Sequence, residues 1–155
     1  MSKSVLLSIK PKYCELIASG KKTIEIRKNR PKTKEPFKCY IYCTKEKSMD
    51  DVLWTGDLRN VGIFAKRANG KVIGEFACKN ITSYRICMGI PNDLVIEGVI
   101  APDEIWEYSN KGCKDLFAWH ISDLVIYNKP KELDALYPFD KYKPPQSWCY
   151  VEDEV

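Results

Sequence analysis

Three ionisable side chains, Lys22, Glu25 and Arg27, crowd into the run Gly20-Lys21-Lys22-Thr23-Ile24-Glu25-Ile26-Arg27-Lys28. On an extended strand successive side chains alternate, so Glu25 and Arg27 share one face while Ile24 and Ile26 share the other. A charged face backed by a buried one suits recognition. Arg27 and Lys22 can donate to a phosphate or a base edge, and Glu25 can accept from an exocyclic amine. In an enzyme Lys22 and Glu25 would be the catalytic pair, because a lysine and a carboxylate in contact shift each other's pKa. The same Glu25 and Arg27 can equally be a surface ion pair worth about 0–1 kcal/mol and of no functional consequence. Lys22 has the opposite parity to Glu25, so it joins their face only if the strand begins after it.

A second set of candidates lies near the end of the chain, in Lys143-Pro144-Pro145-Gln146-Ser147-Trp148-Cys149-Tyr150-Val151. Ser147 in this proline-ordered turn can bond a phosphate or a base, and Trp148 can offer a stacking platform. Trp54, Trp106, Trp119, Tyr13, Tyr40, Tyr42 and Tyr84 have the same chemistry and serve more ordinarily as core. His120 is the one histidine, which excludes a two-histidine metal site. It can act as a base or stack on one, although a lone histidine beside Trp119 in a strand is ordinarily structural. Seven cysteines form an odd set without a C-x-x-C pair, against both a disulfide framework and a zinc knuckle. Cys39 and Cys43 lie four apart in strand-like sequence, about 13 Å of extended chain and too far to share one ion. No glycine-rich phosphate loop, G-x-S-x-G elbow or H-E-x-x-H is present. No metal and no cofactor is expected.

The elements that must position these groups are short. Residues 5–9 are apolar nearly throughout and predict a central or covered strand. Pro11 suits the first turn of a helix whose Tyr13, Leu16 and Ile17 repeat at i, i+3, i+4, with Gly20 as its stop. A second strand over residues 23–28 runs into the basic loop Lys28, Arg30, Lys32, Lys34. As a solvated loop this run needs no function; as a guide for a polyanion it makes binding salt-dependent. Residues 37–43 form a third strand. Residues 44–60 predict a surface excursion. Residues 61–65 predict a hairpin arm pairing with residues 72–76 across the Ala68-Asn69-Gly70 turn, the second arm continuing as a long bent strand to Ile86. Residues 92–99 suit a short helix or a loop equally. Pro102-Asp103-Glu104 opens a helix with Ile105 and Trp106 inward and Gly112 as the stop. Residues 116–127 read as strand, Pro130 as the start of a short helix carrying Leu133 and Leu136, and the closing proline bend as the entry to a last strand. Several short strands and few helices predict a closed or nearly closed β-barrel with helices over its ends.

At 155 residues the chain accommodates one domain and a sizeable core, and 45% hydrophobic with 12% aromatic content excludes disorder. The balance of 25 Lys+Arg against 21 Asp+Glu, net +4, permits a polyanion partner without requiring one. The early apolar run is cut by Lys10 and Pro11, too short for a signal or a membrane span. A cytoplasmic protein without membrane partners is expected; a protein partner is left open, a protein-interaction module being a third possibility.

The run from Gly20 to Arg27 resembles the signature G-x-K-x-x-E-x-R of the ASCH domain family, with Gly20, Lys22, Glu25 and Arg27 at its fixed positions. Leu6-Leu7-Ser8-Ile9-Lys10-Pro11 and the closing Pro144 to Tyr150 stretch look like the small phage-related and bacterial members. The resemblance implies a single α+β domain over residues 1–155, similar to the PUA domain: a mixed β pseudo-barrel of about six strands with short helices at its rim. It also implies a cleft beside the motif that takes RNA or a modified base. One branch of the family hydrolyses N4-acetylcytidine with a lysine, a threonine and a distant glutamate. Lys22 matches the lysine, but Glu25 stands where that branch has threonine, and Thr23 is two positions away. A carboxylate does not replace a lysine-activated hydroxyl nucleophile. RNA or modified-nucleotide recognition by Lys22, Glu25, Arg27, Ser147 and Trp148 is therefore the leading expectation. The alternative is a hydrolase acting on acylated cytidine or on RNA.

Overall fold

Alternation along the first strand divides the molecule into its layers. The structure, a computed structural model, describes residues 3–45, 70–136 and 143–152. Strand β1, Lys3–Ile9, sits between parallel β3, Phe37–Cys43, and antiparallel β6, Trp148–Glu152. Both of its faces are covered, so Ser4 and Ser8 are buried along with the apolar residues between them. Val5, Leu7 and Ile9 enter one core with Cys39, Ile41, Phe76 and Trp119, while Leu6 points into another with Tyr42, Val72 and Val151.

The sheet order is β2-β5-β4-β3-β1-β6, where β2 is Ile24–Arg27, β4 is Val72–Tyr84 and β5 is Leu116–Lys131. The long strands β4 and β5 pair with several register shifts, which bend the sheet. Strands β2 and β6 are its two ends and share no backbone ladder among the described residues. The sheet is a mixed pseudo-barrel whose seam is crossed by side chains: Trp148 Nε1 donates to Asn29 Oδ1 at 2.8 Å, and the Lys32 amide donates to the Tyr150 hydroxyl at 2.7 Å.

Among the described residues, three helices cover the sheet. Helix α1, Pro11–Ala18, leads from β1 toward β2, and Gly20 adopts φ +79° just beyond it. Its buried face is Pro11, Cys14 and Ile17 rather than the expected Tyr13, Leu16 and Ile17; Tyr13 and Leu16 are half-buried, because the core lies one step round the helix. Residues 92–99 resolve as helix α2, Asn92–Gly98, ended by Val99 in the left-handed region. Helix α3, Pro102–Tyr108, buries Ile105 completely but leaves Trp106 at 39% exposure, against the expectation that both point inward. A seven-residue helix offers few positions to its support, and the indole turns sideways to cover Gly112 instead. Ser109 ends the helix ahead of Gly112, accepting the Gly112 amide at 2.9 Å.

Two further expectations change. Pro130 does not start a helix but is buried inside β5, and only a 3-10 turn, Leu133–Ala135, follows. The hairpin arm at residues 61–65, Trp54, and the excursion beyond Lys45 lie outside the described residues, while residues 72–76 pair with β3 on one side and β5 on the other.

Candidate functional site

Every residue of β2 is buried, although two of the four carry charge. Ile24 and Ile26 pack with Ile86, Leu94, Ile105 and Leu116 under α2 and α3. Gly98 makes the close approach of α2 possible, since a Cβ there would meet Ile26 Cδ1 at 2.8 Å. Glu25 and Arg27 face the other way, onto the floor of a cleft of about 670 Å³ at the barrel seam.

Lys22 precedes the strand, which begins at Ile24, so its parity does not separate it from Glu25. Its ammonium donates to the Gly98 carbonyl at 2.7 Å, lies 3.9 Å from Glu25 Oε2 and sits 4.9 Å from the Tyr13 ring centroid. A cation at the end of α2 also suits the negative end of the helix dipole. Burial holds the Lys22 pKa below the ordinary lysine value, with the Arg27 charge adding to the fall and Glu25 opposing it.

Arg27 spends its two terminal nitrogens across the seam. One donates to the Ser147 carbonyl at 3.2 Å and the Ser147 hydroxyl at 3.1 Å, and the other to the Ser8 carbonyl at 2.8 Å. Its Nε lies 3.4 Å from Glu25 Oε1 without meeting hydrogen-bond geometry. Glu25 is thus 6% exposed and flanked by two cations, yet its Oε2 has no hydrogen-bond partner among the described residues. Buried carboxylates are ordinarily satisfied, and one that is not points to a ligand, a water or a reaction.

For the site, sequence reasoning named Tyr13 only as one of several rings that could stack and Lys28 only as part of a basic loop, and it did not assign Tyr108, Lys10 or Lys12. Tyr13 and Tyr108 line the cleft, and the Tyr13 hydroxyl donates to Glu104 Oε2 at 3.3 Å, joining α1 to α3. Burial raises the Tyr13 pKa, and the charges of Glu104 and Glu25 raise it further. Burial likewise raises Tyr108, with Arg27 pulling it back. Lys10, just before α1, and Lys12, in its first turn, line the cleft, and of the basic loop only Lys28 joins them. Tyr108 carried a usable signal: it follows Glu104 by four residues, on the same helical face.

Of the five expected ligand-binding residues, Lys22, Glu25, Arg27 and Ser147 converge on the cleft. Trp148 does not line it. Its ring packs edge-on against Trp119 and Tyr150 at 5.8 and 5.3 Å between centroids, behind Asn29. His120 is on β5, 2.9 Å from the Thr82 hydroxyl, and is not part of the lining. Cys39 and Cys43 are buried core thiols.

A mixed sheet curled so that its end strands meet only through side chains, with short helices at the rim and a polar cleft at the seam, is a PUA-like domain. The chain belongs to the ASCH domain family, whose model matches residues 7–117. It is similar in fold to the crystal structure of ASCH from Zymomonas mobilis, with TM-score 0.69 and 21% identity over 96% of this chain and 87% of that one. Two variants of the same Zymomonas mobilis protein, one tyrosine-to-phenylalanine and one serine-to-alanine, each give TM-score 0.66 and 21% identity over 96% of this chain, covering 90% and 88% of theirs. No curated protein matches the chain. None of the described helices is long and apolar enough to cross a membrane.

Proposed function

We propose that the cleft binds RNA or a nucleotide-like ligand and that Glu25 is its recognition group. The observation carrying this is the buried Glu25 carboxylate, fixed between Lys22 and Arg27 with an oxygen left without a hydrogen bond at the floor of a cleft of nucleotide-accommodating size. A fixed acceptor of this kind selects a ligand that brings an N–H donor, such as the exocyclic amine of a base. Lys22 and Arg27 hold the carboxylate in place. The Ser147 hydroxyl, accepting from Arg27, retains its own proton to donate to the ligand. Trp148 supports Asn29 at the edge of the cleft. Family membership supports the same function, since ASCH domains are commonly RNA-binding. The free thiols support a cytoplasmic setting.

Filter binding of the full chain against pooled RNAs and single nucleosides at low salt tests the proposal. Binding weakened at least tenfold in Glu25→Gln, about 1.4 kcal/mol, is expected. No interaction with any of these ligands at low salt overturns it.

Hydrolysis is favoured by one observation, the lowered pKa of Lys22 beside Glu25. Incubation with acylated cytidine and with RNA, followed by chromatography, separates the two functions. Turnover that Glu25→Gln abolishes would make the domain an enzyme; unchanged substrates leave it a binding module.

A further inference from the structure

Besides the exposed Lys10, the cations lining the cleft fall into two groups. Lys22 and Arg27 are nine-tenths or more buried and committed to carbonyls: Gly98 for the lysine, Ser8 and Ser147 for the arginine. These bonds fix both side chains at the floor of the cleft, below the rim, although Lys22 and the Arg27 Nε keep N–H donors beyond them. Lys12 and Lys28 are different. Both are exposed, both line the cleft, and neither has a carboxylate within ion-pair distance among the described residues.

Each is also placed by an aromatic ring. Lys12 Nζ lies 4.8 Å from the centroid of Tyr13, and Lys28 Nζ lies 4.8 Å from the centroid of Tyr108. A cation–π contact at an exposed site is worth about 0.5–1 kcal/mol, enough to bias a flexible side chain toward the cleft but not to hold it there. The two lysines come from separate elements, α1 and the loop after β2, so they present two distinct points of positive charge around one buried acceptor. A free nucleoside carries no charge for either. A nucleotide inside a strand carries a phosphate on each side of its base.

Resting on the binding function above, we infer that the cleft takes a nucleotide within a single-stranded RNA, with Lys12 and Lys28 as phosphate-contacting residues, while Lys22 and Arg27 position Glu25 instead of contacting phosphate. The electrostatic share of affinity then belongs to the two rim lysines and the base-dependent share to Glu25.

Fluorescence anisotropy of short, labelled single-stranded RNAs differing in base composition tests this on the full chain. Each phosphate contact contributes about 0.7 to the slope of log affinity against log salt for a single strand, so Lys12→Gln and Lys28→Gln should each flatten the slope by about that much, equally for every sequence. Both residues are exposed, and circular dichroism of each variant at the binding temperature confirms that it is folded. Glu25→Gln should leave the slope unchanged while altering the order of preference among sequences. Slopes unchanged in both lysine variants overturn the inference although RNA still binds. A free nucleoside bound as tightly as the strand overturns it too. Wild-type protein that binds neither strand nor nucleoside overturns instead the binding function on which it rests.

Discussion

The two faces of β2 are equally buried and hold together by opposite means. On one, Ile24 and Ile26 fill the space beneath α2 and α3, and their stabilisation follows from the apolar area they remove from water. On the other, Glu25 and Arg27 are as inaccessible as the isoleucines, but an oxygen of one and a nitrogen of the other lack hydrogen bonds. Burying a charged pair costs about as much as its attraction returns, so this face adds little net stability for the chemistry it preserves. A strand four residues long therefore carries part of the core on one side and the candidate site on the other.

The largest test of that contrast is Arg27→Ala. It removes the bonds to Ser8 and Ser147 that cross the seam and leaves Glu25 with Lys22 alone, and should cost about 3–5 kcal/mol in chemical denaturation. A loss under about 1 kcal/mol would place the charged face with ordinary surface pairs and break the comparison. Ile24→Ala should cost about 2–5 kcal/mol through the cavity it opens, while the protein that remains folded keeps its ligand affinity. An affinity lost in proportion would mean that the faces are not separable.

Gly98→Ala tests the one place where the faces are joined, because Gly98 packs on Ile26 and its carbonyl receives Lys22. Overpacking should cost about 1–3 kcal/mol. Ile26→Val removes the obstructing Cδ1, so a double-mutant cycle should show rescue. Additive losses would place the strain elsewhere.

A last test, confined to alkaline pH, concerns the thiols of the apolar core. Burial raises Cys78 from 9.0 to about 12. A raised folded pKa gives stability that is complete below the unfolded value and is lost as pH climbs through the folded one. Thermal melts of wild type should therefore decline more steeply than those of Cys78→Ala between pH 9 and about 12; parallel curves would contradict the burial of this thiol.

The legible parts of the fold are those written in short-range pattern. The apolar run of β1, the alternation of β2, the aromatic third strand and the long bent β4 all arise from the periodicity of neighbouring residues. The misjudged parts depend on distant support. Trp106 turns outward because only a narrow strip of α3 meets the core, and β5 continues through Pro130, whose local sequence suits a helix start. Trp148 has the chemistry of a stacking platform, but its ring is engaged by Trp119, a buried residue whose position no local pattern gives.

The sequence by itself determined the family motif and the shared face of Glu25 and Arg27, because alternation along a strand is a property of the backbone. Tertiary structure decided what those charges do. The carbonyls of Gly98, Ser8 and Ser147 that engage Lys22 and Arg27 lie 76, 19 and 120 residues from their partners. Every residue has such a carbonyl, whatever its side chain, so only the curl of the sheet and the seating of α2 select these three. That selection fixes Lys22 and Arg27 on either side of Glu25 and leaves Lys12 and Lys28 exposed at the rim of the cleft.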